Sequence, residues 1–97
     1  MEDILLYSGR KLKEIRMSRG IELDEIVEAT KVRKKQLIKI EEEKYGELPA
    51  KIFLKGFLMS YASHLGLDSQ KVVNDILKKV EENNLLHVDN QLESQYS

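Results

Sequence analysis

The stretch from Arg16 to Glu42, RMSRGIELDEIVEATKVRKKQLIKIEE, decides the fold. Apolar residues recur in it at helical spacing, in groups divided by short polar breaks. Upstream, Ser8 is a suitable N-cap and Gly20 a suitable stop, which predicts a first helix over about Gly9–Arg19 with Leu12, Ile15 and Arg16 on its inner stripe. Leu23, Ile26 and Val27 share one face of a second helix, about Leu23–Ala29. Glu22 stands at its cap position, a poor capper but well placed for the helix dipole. A third helix, about Arg33–Glu42, turns Leu37 and Ile40 inward. A short helix, a tight turn around Thr30–Val32 and a second helix rich in lysine are the outline of a helix-turn-helix.

Working outward, Pro49 is a good first-turn residue, because its missing N–H would be unpaired there anyway. It predicts a fourth helix ending before Gly66. Asp68 caps a fifth, to about Asn83, with Val72, Val73, Ile76, Leu77 and Val80 as its stripe. Beyond Asn84 the period is lost, although Leu85, Leu86 and Val88 could dock locally. The reading is thus one domain over residues 8–83 and a flexible tail over 84–97, which could lead to a membrane span outside this chain. The fold class is all-α, with five helices.

Ninety-seven residues suit one domain. A chain this short buries only roughly 60–65% of its unfolded surface, so its core is modest. There is no cysteine, which excludes disulfides and thiolate metal sites. Two histidines, His64 and His87, do not suggest a metal cluster, and no cofactor is expected. No apolar run approaches the roughly 20 residues of a membrane span. Residues 1–40 carry ten Lys/Arg and seven Asp/Glu, whereas residues 41–97 carry six and ten. The basic half hints at an anionic partner and no more. No Gly-rich phosphate loop, His-Glu-x-x-His or nucleophile elbow occurs, so the chain is read as non-enzymatic.

The first three helices resemble the lambda-repressor-like group of helix-turn-helix domains. In that group an arginine of the first helix commonly pairs with a glutamate ending the third, which implies a structural ion pair between Arg16 and Glu41 here. The second half narrows the resemblance. Leu48-Pro49, Phe53, Gly56-Phe57, Tyr61-Ala62 and Gly66-Leu67-Asp68 are similar to the cytoplasmic domains of the RodZ family of bacterial cell-shape proteins, over about Gly9–Val80. Two positions depart from the family pattern. Glu43 stands where glycine is common after the third helix, and Met59 where a basic residue is common. The resemblance implies a domain at the inner face of the bacterial membrane that binds the actin-like filament protein MreB. The family's filament-binding aromatics fall at Phe53 and Phe57.

The fourth helix carries more apolar surface than a core stripe needs. At about 100° per residue its apolar side chains span roughly 180°, against somewhat over 100° for a core-facing stripe. Leu54, Tyr61 and Leu65 lie in the middle and are assigned to the core. Phe53 and Phe57 lie at one edge, flanked by Ser60 and His64. They could pack against the tail, the fifth helix or the Ile4–Tyr7 segment. Equally, they could form an exposed anchor patch, since aromatic side chains dominate interface hot spots. The resemblance favours the patch, giving Phe53, Phe57, Ser60 and His64 as partner-binding residues. Gly56 costs about 1 kcal/mol against alanine in a helix interior. It is read as a position where another backbone approaches closely.

The competing functional reading is DNA binding by the third helix. Gln36 could read an adenine while Lys34, Lys35 and Lys39 hold phosphates. Against it, Ile38 lies on the same outward arc, and the strip runs into Glu41-Glu42-Glu43. A solvated basic face or an acidic protein or lipid surface are the other readings of this strip.

Overall fold

The computed structural model describes the backbone of residues 6–48 and 51–96, and the side chains of residues 6–48 and 53–82. Five helices are described: α1 (Gly9–Ser18), α2 (Leu23–Thr30), α3 (Lys34–Glu41), α4 (Lys51–His64) and α5 (Ser69–Tyr96). A single 3-10 turn, Tyr45–Glu47, links α3 to α4. No strand occurs among the described residues, so the fold is an all-α helix-turn-helix domain.

Local chemistry sets most of the boundaries. The Ser8 hydroxyl accepts from the Lys11 N–H at 3.1 Å and so caps α1. Glu22 makes no side-chain cap bond to α2, as its residue type suggests. The turn between α2 and α3 is built on Thr30. Its hydroxyl donates to the Ile26 carbonyl at 2.7 Å and accepts from the Val32 N–H at 3.1 Å. Lys31 closes α2 in the left-handed region at φ 62°. Asp68 caps α5 by accepting from the Lys71 N–H at 3.2 Å.

The core is one cluster shared by all five helices. Leu12, Ile26, Leu37, Ile40, Leu58 and Ile76 are fully buried. Each contributes roughly 1.5–3 kcal/mol by leaving water. Tyr45 and Leu48 of the α3–α4 connection close the cluster from one side. α3 packs against α1 and α2, while α4 packs against α2 and α5.

Two expectations need correcting, and a third position takes the role given to Gly56. First, α5 runs to Tyr96, well past Asn83. Loss of apolar period does not break a helix, and neither Gly nor Pro occurs after Gly66. The side chains of Leu85, Leu86 and Val88 lie outside the described residues, as do Ile4 and Pro49. Second, Gly56 is not a close-packing position. It is exposed, and a Cβ built on it meets nothing within 4 Å. Its place on α4 points away from the core. Third, the close approach falls at Gly9 instead, where a Cβ would lie 1.7 Å from the Ile40 carbonyl oxygen. That contact holds the start of α1 against the end of α3.

Glu43 resolves the missing glycine after α3. It adopts φ 62°, the left-handed conformation glycine favours. The Lys44 N–H then reaches the Lys39 carbonyl at 2.8 Å. The strained residue is also held through its side chain, which accepts from the Arg10 N–H at 3.1 Å and faces Lys79 at 4.0 Å. Burial opposes ionisation of this carboxyl, but the Arg10 N–H, the Ser8 hydroxyl and the charges of Lys79 and Arg10 together hold its pKa below the ordinary 4.5.

Candidate docking surface on the fourth helix

α4 has two faces of different chemistry. Its inner face carries Leu54, Leu58, Tyr61, Ala62 and Leu65, all buried. Tyr61 sits at the middle of that face and reaches a buried polar node. Arg16 Nε donates to Glu41 Oε2 at 2.8 Å and Nη2 to Oε1 at 3.2 Å, a two-pronged pair. A third guanidinium nitrogen donates to the Ile21 carbonyl at 2.8 Å. The Tyr61 hydroxyl donates to the same Glu41 Oε2. Donating to Glu41 raises the Arg16 pKa, against the opposing effect of burial. Burial, followed by the Glu41 hydrogen bond, pushes the Tyr61 phenol far above its usual range. The node ties α1, α3 and α4 together and engages both carboxylate oxygens of Glu41.

The outer edge of α4 is where the aromatic surplus ends up. Phe53 is 55% exposed, whereas Phe57 is half-buried against the core. Their rings lie 6.5 Å apart, with planes inclined by 23°. The two rings form a stacked pair, with the exposed one resting on the half-buried one. Ser60 continues the edge and is exposed. His64, one turn further, is also exposed and places Nε2 at 2.8 Å from Glu25 Oε2 of α2. The sequence does not show this pairing, because Glu25 lies 39 residues before His64. Ala29, Met59, Ser60, Ser63 and His64 line a shallow recess of about 430 Å³ between α2 and α4. Met59, 39% exposed, forms its apolar wall. Phe53, Phe57, Ser60 and His64 therefore lie along one edge, and the Met59 recess extends it.

The third helix places its candidates differently. Lys34 Nζ is 3.1 Å from Asp24 of α2. Lys39 Nζ lies 3.4 Å from the Glu47 carbonyl and 4.0 Å from its carboxylate. Lys35 is exposed and carries no ion pair among the described residues. Gln36 is half-buried, and its Oε1 is buried without a hydrogen-bond partner. In this rotamer the amide does not present both of its polar atoms to a base edge.

Among the described residues, no group of His, Asp and Glu is arranged to hold a metal ion, and no helix is long and apolar enough to cross a membrane. No solved structure matches the chain. It is similar to the uncharacterized membrane protein YmfM of Bacillus subtilis (strain 168), at 33% identity over 58 residues. That alignment covers 60% of this chain, and the chain spans 20% of the relative's length. Residues 11–72 match the helix-turn-helix domain family, and the chain belongs to that family.

Proposed function

We propose that this domain is a non-enzymatic cytoplasmic adaptor that docks the outer edge of α4 on the actin-like filament protein MreB and links it to the membrane in control of rod cell shape. The observation that carries the reading is Phe53, 55% exposed and stacked on a half-buried Phe57. An exposed aromatic ring beside a second one offers the large apolar contact area that interface anchors use. The motif series from Leu48 to Asp68 supports the family assignment behind the partner. Similarity to a membrane protein of Bacillus subtilis supports a domain working near a bilayer.

The test is cosedimentation with purified filament protein. Wild type is expected to pellet with filaments, and Phe53→Ala/Phe57→Ala to stay in the supernatant. Equal pelleting by a folded double variant would remove the site.

A second reading, sequence-specific DNA binding through α3, draws on the exposed Lys34 and Lys35 of a helix-turn-helix. Duplex affinity that falls steeply with salt and weakens in Lys34→Ala and Lys39→Ala would favour it. The Gln36 geometry and the Lys34–Asp24 pair weigh against it.

A further inference from the structure

The outward face of α3 carries a second surface that the α4 reading does not use. Ile38 is 37% exposed there, a large aliphatic residue in the middle of a charged strip. It floors a recess of about 380 Å³ between α3 and the 3-10 turn. Lys34, Lys35, Lys39 and Lys44 stand around it, with Glu42 and Glu47 among them. The charges are not evenly spread. Lys34 and Lys35 occupy the first turn of α3 with no carboxylate of that recess beside them in sequence. At the other end Lys44 is 3.2 Å from Glu42, and Lys39 is 4.0 Å from Glu47. Lys34 in turn faces Asp24 of α2 at 3.1 Å, so Lys35 is the lysine of the recess without a carboxylate partner among the described residues.

We infer that this recess docks an acidic peptide segment of a partner protein, with one aliphatic side chain over Ile38 and its carboxylates at Lys34 and Lys35. Charge complementarity selects an anionic occupant. The apolar floor selects one that also carries a hydrocarbon side chain. A nucleic acid offers phosphates and base edges but would place them against Glu42 and Glu47, with Gln36 Oε1 buried. The Asp24 contact of Lys34 is no obstacle. Both partners are more than half exposed, and such a pair exchanges readily for another carboxylate. The inference shares no residue with the Phe53 edge, so either can fail without the other.

The experiment is a titration of the full chain, followed by backbone amide NMR, with the capped peptide Gly-Asp-Glu-Leu-Gly-Ser. Saturable shifts are expected at α3 and the 3-10 turn. Lys35→Glu is expected to weaken binding by about fivefold, the upper end of what one exposed charge pair supplies. Ile38→Ser, or glycine in place of the peptide leucine, is expected to weaken it similarly. Lys35 and Ile38 are both at the surface, so circular dichroism should report intact folds. Absence of saturable shifts on α3 overturns the inference, as does equal binding of the leucine-free peptide. Phosphatidylglycerol vesicles or duplex DNA binding this strip more tightly than the peptide, with the same Lys35→Glu sensitivity, also overturns it.

Discussion

Tyr61 and Phe53 are two turns apart on the same helix, and their surroundings are opposite. Tyr61 is fully buried and donates its hydroxyl to Glu41 inside a three-helix polar node. Phe53 is 55% exposed and stacks on Phe57. The inner aromatic specifies the fold, because its polar handle is satisfied at one place. The outer one adds little to folding and leaves area for a partner. Spacing alone makes them alike, and burial and hydrogen bonding separate them.

The comparison breaks first at the inner node. Glu41→Ala strips the carboxylate from buried Arg16 and from the Tyr61 hydroxyl together. A loss of about 3–5 kcal/mol is expected, read by urea unfolding. A loss below about 1 kcal/mol would mean that the node is open to water. Gly9→Ala probes the same side of the molecule, since its Cβ would collide with the Ile40 carbonyl. About 1–3 kcal/mol of destabilisation is expected, with α1 tilting away from α3 in amide shifts.

Alkali should also act on the interior. Burial pushes the Tyr45 phenol up to about 12, above its ordinary 10.0, despite the opposing Gly9 N–H that it accepts at 2.9 Å. A raised folded pKa means that this stability is whole below pH 10 and is lost as pH rises through about 12. Tyr45 is expected to contribute a loss on the order of 2 kcal/mol over that window, and Tyr45→Phe should make the fall shallower without abolishing it, because the raised Tyr61 phenol acts in the same direction.

The outer side should respond in the other direction. Gly56 is helical, exposed and free of neighbours, so Gly56→Ala is expected to stabilise the domain by roughly 0.5–1 kcal/mol in thermal unfolding. A destabilising alanine would mean that α4 is crowded on this face.

These residues also mark how far the sequence could be read. Helical spacing and caps are local, so α1 to α3 are legible within about two residues, the ordinary uncertainty of a helix end. The core role of Tyr61 follows from its phase. Its bond to Glu41 does not, because it depends on how α4 crosses α3. His64 and Glu25 are separated in the same way. Gly9 looks like an ordinary first helical residue until Ile40 is placed against it. Gly56 was legible as a cost but not as an empty face, since a glycine carries the same letter whether something approaches it or not. Glu43 shows the reverse, a left-handed position whose carboxylate is held by a backbone N–H of α1 and faces Lys79 of α5, where glycine would be the local choice. The end of α5 was misread because apolar periodicity marks packing, and helix continuation needs only the absence of breakers.

The most direct test of the account is the affinity of Phe53→Ala for purified MreB filaments, measured beside its unfolding midpoint. The expected result is a stability change within about 0.5 kcal/mol together with a loss of at least about 2 kcal/mol in binding, as for an exposed anchor. Unchanged filament affinity in a stable Phe53→Ala protein would contradict it.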